Sequence, residues 1–410
     1  MRHEAVRDPH DAPRAPQPAP RAFGAACLGM LVFGIVLTTL GAVLPSVIER
    51  FGLAKESAGS LFLLLSFGIL AGSLVFGPIV DRYGYKALLV AAMALVVAGI
   101  EAIAFAPSLG ALRAGILLIG FGGGVINGGS SALVADVSAD GRSARLSLLG
   151  IFFGIGAVGV PFTLGVLSRV FSSAAILAVV GLVVLGPLTF VAITEFPRPK
   201  HPQGFPVADG ARLVRDPFIL LTGLMLFLAS GMEITVGGWT ATFFNEELGV
   251  AANRALVLLS LYWFGMMLAR LALGTALRDA VPSRALAGCI TLGLLGSALL
   301  LSAHGVFPAA LGVFLLGTGF AATFPVVLSY VAERYAALSG TAFSVVLVMA
   351  LTGGMVLPYV TGVLGGVRGL RTSFLIVPSA LVLLALLLSI VVRWQRPTAA
   401  RRTYDEGVAR

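Results

Sequence analysis

The sequence predicts an all-α membrane protein, twelve transmembrane helices arranged as two pseudo-symmetric six-helix bundles. Three observations predict it. The 410 residues are 58% hydrophobic and 11% charged, with mean hydropathy +0.99, whereas soluble proteins carry about 25% charged residues. So much apolar surface exceeds one aqueous core, and lipid must be the solvent. Twelve apolar stretches are long enough to cross a ~30 Å hydrocarbon layer as helices. Finally, the chain repeats itself without a gap at an offset of 197 residues. Gly77 falls on Gly274, Gly120-x-Gly122 on Gly317-x-Gly319, and Val134-Ala135-Asp136 on Val331-Ala332-Glu333. Gly156-x4-Pro161-x3-Gly165 falls on Gly353-x4-Pro358-x3-Gly362, and Gly34 and Gly41 meet Gly231 and Gly238. In a membrane chain such duplication points to a transporter.

In chain order, residues 1–20 are rich in Pro, Arg, His and Asp and read as a disordered cytoplasmic tail. No uncharged apolar segment precedes a small-residue cleavage site, so a cleaved signal peptide is not expected. The N-terminal bundle, 21–195, places spans at 22–47, 57–80, 86–106, 109–134, 146–168 and 173–195. The Pro-rich, basic segment 196–216 is a cytoplasmic linker without a domain of its own. The C-terminal bundle, 217–395, places spans at 217–244, 254–277, 285–303, 307–332, 341–364 and 372–393, and 396–410 is a second tail. Period-two alternation is absent, and a backbone in lipid must satisfy itself internally, so the spans are helical. With both termini inside, the cytoplasmic side holds twenty of the 28 Lys and Arg and the outside seven, with Arg270 left within a span. That bias sets the orientation.

The net charge of +9 is therefore topological. No basic stripe with interleaved aromatics suggests nucleic acid. Cys27 and Cys289 lie in apolar spans and suggest neither a disulfide nor a metal site. No phosphate-binding loop, HExxH motif or nucleophile–His arrangement is present. An enzyme, a nucleotide-driven pump and a bound cofactor are not expected, and energy must come from an ion gradient or the solute's own.

Between the second and third spans stands Gly77-Pro78-Ile79-Val80-Asp81-Arg82-Tyr83-Gly84-Tyr85-Lys86. Gly84 permits a tight turn, Asp81 is an anion placed to meet a helix N-terminus or a neighbouring Arg, and Arg82 and Lys86 hold the loop inside. This string resembles the signature loop of the major facilitator superfamily, G-x-x-x-D-R-x-G-R-K, departing at Tyr85 where Arg is usual. Arg278-Asp279 echoes it in reversed order. The resemblance implies two six-helix bundles, a central cavity, alternating access and, with no targeting peptide evident, residence in a bacterial inner membrane as a monomer. A narrower resemblance, to the fucose permease-like branch, is carried by Asn127, Ala135-Asp136, Leu146-Ser147-Leu148-Leu149, Phe152-Phe153-Gly154-Ile155-Gly156-Ala157, Gly231-Met232-Glu233, Gly238-Trp239, Trp263-x-Gly265 and Arg270. That branch imports hexoses with protons. This chain departs from it by lacking a carboxylate in 22–47 and by having Gly150 ahead of Phe152-Phe153, where the branch tends to carry His.

A charge at mid-bilayer costs about 2.5–3.5 kcal/mol, so each needs a reason. Glu233, flanked by Gly231 and Gly237-Gly238 that would let the helix bend or unwind, reads as a carboxylate that binds solute hydroxyls, the coupling proton or both. The alternative is a structural partner for Arg270. At 1.5 Å per residue Glu233 sits about 24 Å and Arg270 about 14 Å from the inner end, a long gap for a direct pair. Arg270 reads as an anion ligand, a charge that tunes Glu233, or a side chain that snorkels to the interface. Asn127 offers an amide to a hydroxyl or to another helix. Trp239 and Trp263 suit the apolar faces of sugars or an interfacial belt; Tyr262, Phe324 and Tyr359 are weaker candidates. Glu101 is expected to be wet at the outer end of its span. Asp81, Arg82, Asp136, Arg142, Arg278, Asp279 and Glu333 are expected at cytoplasmic helix ends as gate pairs that form and break with conformation. The function expected is proton-coupled import of a monosaccharide or similar polyhydroxylated solute, with Glu233 as the coupling group. The alternatives are a drug or metabolite exporter, weakened by the broken Gly-Pro junction at Gly159-Val160-Pro161, and an organic-anion carrier, which Arg270 keeps open.

Overall fold

Apolar stretches that must satisfy their own backbone become helices, and the described residues of the computed structural model contain twelve helical spans long and apolar enough to cross a membrane. It describes residues 20–137, 142–196, 215–277, 280–335 and 339–395. The N-terminal half comprises α1 (Pro20–Phe51), α2 (Lys55–Tyr83), α3 (Tyr85–Ala104), α4 (Leu109–Val137), α5 (Arg142–Leu167) and α6 (Ser173–Ile193). The C-terminal half comprises α7 (Pro217–Leu248), α8 (Ala252–Gly274), α9 (Pro282–Ser302), α10 (Val306–Phe320), α11 (Thr323–Arg334), α12 (Ser339–Arg368), α13 (Leu370–Ser373) and α14 (Ile376–Gln395). The expected spans match to within a few residues. Two spans are interrupted, at Ala321–Ala322 between α10 and α11 and at Phe374–Leu375 between α13 and α14. Both tails and nearly all of the linker lie outside the described residues. Pro20 and Gln395 lie at one face of the bundle, here the terminal face; Arg50, Lys55 and Glu246 lie at the other, the distal face.

Gly249 ends α7 in the left-handed conformation, φ 61°, where a side chain is strained. Asp216 caps the start of α7, accepting from Phe218 N–H at 2.8 Å, with Pro217 in the first turn where its missing N–H costs nothing. Beyond the spans, at the terminal face, burial and the nearby Asp216 carboxylate push the Tyr335 phenol up to about 12.

The repeat acquires a physical meaning in the packing. A Cβ on Gly99 would sit 2.8 Å from the Gly115 carbonyl oxygen, and one on Gly115 would sit 2.9 Å from that of Gly99. Their counterparts Gly296 and Gly312 repeat the crossing at 2.6 and 2.7 Å. Gly120 faces the Leu65 carbonyl and Gly317 that of Tyr262, again counterparts at the same offset. The shared glycines mark where backbones cross too closely for any side chain. One cap is rebuilt. In the first half Arg50 donates to the carbonyls of Ala104 and Ala106, at 3.4 and 2.7 Å. In the second, Arg371 donates to the equivalent carbonyls of Leu301 and Ala303, at 2.7 and 2.9 Å, and Glu247, the counterpart of Arg50, pairs with it at 3.7 Å.

The two halves meet along α1 with α7, α2 with α12, and α5 with α8. At the distal face Lys55 pairs with Glu246 at 2.6 Å and reaches the Gly365 carbonyl. Deeper, Gly41 abuts the Gly237–Gly238 backbone, Phe62 lies against Trp239, and Ser66 donates to the Gly354 carbonyl at 3.1 Å. Toward the terminal face, Gly77 and Gly150 have no atom within 4 Å of where a Cβ would sit. The seam is closed at the distal face and loosens toward the terminal one.

Candidate functional site

Helix α7 carries the deepest charge. Glu233 lies midway along its 32 residues and is only 7% exposed. The flanking glycines serve close approach rather than bending. Gly231 faces Leu357 and the Gly353 carbonyl of α12, Gly237 faces the Trp263 ring, and Gly238 faces Phe62. The expected unwinding of α7 is therefore not found: the helix is continuous, because those glycines are filled by neighbouring helices. The break falls instead at Ala321–Ala322, in the span that carries Gly317-x-Gly319.

No hydrogen bond or ion pair is recorded for the Glu233 carboxylate among the described residues, with Arg270 the charge in its electrostatic reach. The Tyr262 hydroxyl donates to the Glu233 backbone carbonyl, not to its carboxylate, at 3.3 Å. A buried ionised carboxylate without a partner is costly, so a proton, a bound cation or the field of Arg270 must offset it. Arg270 stands one turn before the end of α8, with its guanidinium 5.5 Å from the centre of the Phe153 ring. Phe153 belongs to α5, so this cation–π contact joins the two halves.

Aromatic rings continue the seam inward. Phe153 lies 5.7 Å from Phe33 and 6.1 Å from Trp263. Trp263 meets Tyr262 edge-on at 4.8 Å, and Tyr262 meets Phe320, the last residue before the helix break, at 6.0 Å. Trp263 is 2% exposed, and its indole N–H has no protein partner. The Thr235 and Thr240 hydroxyls of α7 are likewise buried without partners. Buried donors are normally satisfied; these orphans, on α7 and its neighbour α8, have no partner among the described residues.

The structure thus brings together Glu233, Trp263 and Arg270 with the weaker candidate Tyr262, and adds Phe153. Trp239 stands apart. It is fully buried, donates to the Pro358 carbonyl at 3.0 Å and ties α7 to α12. Asn127 is half-buried on α4, its side chain without a hydrogen bond among the described residues, and Phe324 is half-buried just beyond the helix break. Glu101 is not simply wet: its Oε1 is buried without a partner against Gly181 of α6, although the residue is part-exposed. Of the expected gate residues, Arg82 and Glu333 are exposed, and Asp136 accepts from the Tyr85 hydroxyl at 2.8 Å within its own half. The Asp81 and Arg142 side chains, and Arg278 and Asp279 entirely, lie outside the described residues. Among the described residues no cluster of three or more His, Cys, Asp or Glu suits a metal.

Sequence reasoning missed two cross-half features. Phe153 was visible only within the Phe152-Phe153-Gly154 string that carries the narrower resemblance, and nothing in its spacing tells that Arg270 covers it. Lys55 and Glu246 fall within six residues of each other in repeat register but belong to different copies, so their pairing emerges only once the halves dock.

The sequence profile described as Major Facilitator Superfamily matches residues 26–350. Mouse sodium-dependent glucose transporter 1A is 24% identical, the alignment covering 83% of this chain and 88% of that one. Two solved structures share the fold: the nucleoside transporter NupG, TM-score 0.76 at 15% identity, covering 90% of this chain and 99% of that one, and a D-xylose-proton symporter, TM-score 0.73 at 17% identity, covering 90% and 96%.

Proposed function

The chain belongs to the major facilitator superfamily, and on that premise we propose that it imports a monosaccharide or similar polyhydroxylated solute together with protons. It is a multi-pass membrane transporter; the family and the fold are those of transporters and not of enzymes. The terminal face is cytoplasmic in a bacterial inner membrane, the reading that the basic bias supports, and the working unit is a monomer. The observation that carries the proposal is the Glu233 carboxylate. It sits at mid-depth, unpartnered, beside an unpartnered indole N–H, on the seam that the halves must open. The aromatic faces of Phe153, Tyr262 and Trp263 suit the C–H faces of a sugar ring, and the orphan donors suit its hydroxyls.

Transport follows by alternating access. The distal-closed state presents the site toward the terminal face. Opening the distal face breaks Lys55–Glu246 and parts Gly41 from Gly237–Gly238, while the terminal ends close on the charged loop residues. Solute and proton bound together on the two sides of one seam bias both states, which is the requirement for coupling. Asn127 and Phe324 contribute as the halves close around the solute.

A second reading, an organic-anion carrier, is favoured by one observation. Arg270 covers Phe153, and among the described residues no carboxylate is in ion-pair contact with it, so its guanidinium could meet an anionic solute. Uptake into proteoliposomes with glucose, xylose, uridine and 4-hydroxybenzoate, under an imposed pH or sodium gradient, tests both. Proton-driven accumulation of a sugar supports the proposal; accumulation of the benzoate alone replaces it with the anion reading.

A further inference from the structure

A polar cavity, of about 840 Å3, lies at the distal face. It stands above the point where Gly41 meets Gly237–Gly238, and Ala42 forms part of its floor. Its walls come from both halves: the distal end of α1 and the α5–α6 loop on one side, the ends of α7 and α8 on the other. It is therefore separate from the Glu233 site, which lies deeper along α7.

The wall chemistry is specific. Glu49 and Asn245 offer acceptors; the Asn245 amide N–H is already committed to the Val250 carbonyl at 3.0 Å, which leaves its oxygen free. Arg169 and Asn253 offer donors. Thr242 and Ser168 also line the cavity, but their hydroxyl oxygens have almost no accessible surface and lie behind the wall, so the polar contacts fall to the other four side chains. Glu246, in the same wall, is neutralised by Lys55. A single anion would face Glu49, and a single cation would face Arg169. A neutral molecule with hydroxyls on several sides meets acceptors and donors together. No aromatic ring lines the cavity, so its occupant is held by hydrogen bonds and not by stacking.

We propose that this cavity is a vestibular binding site for a polyhydroxylated solute, and that its occupation holds the transporter distal-closed. The solute class and the outward position of the face rest on the function proposed above. The second clause follows from the walls. They belong to different halves, so the site exists in full only while the distal seam is shut, and a ligand stabilises the state that offers the site. Solute at high concentration on the distal side would then slow exchange rather than speed it.

The test uses the full-length protein in proteoliposomes. The native cysteines, Cys27 and Cys289, are buried, so Ser173→Cys, in the cavity wall, supplies the reporter for a membrane-impermeant maleimide. Ser46→Cys replaces it if that variant folds poorly. The probes are glucose, xylose and uridine. At roughly ten times its dissociation constant a bound probe slows labelling about tenfold by mass action. The expected result is such protection in the reporter protein, its persistence in Glu233→Gln, its loss in Glu49→Ala, and slower efflux when the same probe is added outside. Absence of protection by every probe overturns the proposal. So does protection that survives Glu49→Ala but disappears in Trp263→Phe, since it then reports the deeper site. Protection without any gradient-driven accumulation keeps the vestibule and removes the transport reading; accumulation without protection does the reverse.

Discussion

Gly41→Ala is the smallest change that asks whether the distal seam is the moving part. The new Cβ would lie 2.9 Å from the Gly238 Cα and 3.1 Å from the Gly237 carbonyl carbon, with the carbonyl oxygen nearer still. Carbon atoms rest at about 3.5–4.0 Å, so α1 and α7 must separate by at least about 0.5 Å. Both partners are backbone and have no rotamer into which to retreat. Overpacking of this kind costs about 1–3 kcal/mol. The cost falls on the distal-closed state alone, because the two backbones part when the face opens. The closed-to-open ratio should therefore fall by roughly 5- to 150-fold. Pulsed EPR distances between spin labels at Ala54 and Ala251, on exposed loops of opposite halves, read the populations directly. Gly150→Ala, with no atom within 4 Å, is the control. A folded Gly41→Ala protein with the same distance distribution as the unsubstituted transporter would refute the reasoning.

Lys55→Met removes an ion pair whose side chains are 24% and 34% exposed; such pairs contribute about 0.2–1 kcal/mol, so the same EPR pair should move toward the open state by no more than about fivefold, and the charge swap Lys55→Glu with Glu246→Lys should restore it. Trp239→Phe removes the indole donor to the Pro358 carbonyl, which keeps its helical partner, and should lower thermal stability by about 0.5–1.5 kcal/mol with little change in solute affinity. Trp263→Phe removes a donor that no protein group uses, so KM for the solute should rise about 2- to 10-fold, the worth of one hydrogen bond, while unfolding shifts far less than for Trp239→Phe. Arg371→Met uncovers the carbonyls of Leu301 and Ala303 and leaves Glu247 without its pair; a loss of about 1.5–3 kcal/mol is expected in thermal unfolding, matched by Arg50→Met in the other half.

The helices were legible because the bilayer imposes a length and a polarity on each, and the duplication because glycines at crossings tolerate no substitute. Gly99 with Gly115 and Gly296 with Gly312 are the same contact twice. The role of glycine was harder to read. Gly231, Gly237 and Gly238 signal either flexibility or close packing, and only the neighbours Gly353, Trp263 and Phe62 decide for packing. The position of Glu233 followed from counting residues along a helix, and its depth agrees. The two tryptophans were not separable by spacing. Trp239 points to α12 and Trp263 to the seam because of rotation about two different helix axes, a quantity fixed by tertiary packing. The cross-half pairs, Lys55 with Glu246 and Arg270 with Phe153, depend on how two separately folded halves dock, which local pattern does not encode.

The central claim is that the Glu233 carboxylate couples solute movement to protons. It is tested most directly by measuring, in one proteoliposome preparation, solute accumulation under an imposed pH gradient and solute counterflow without one, for the unsubstituted protein and for Glu233→Gln. Counterflow needs the site and the moving seam but no net proton transfer. The account predicts that Glu233→Gln keeps counterflow and loses accumulation. Accumulation retained at the unsubstituted level in Glu233→Gln would contradict it.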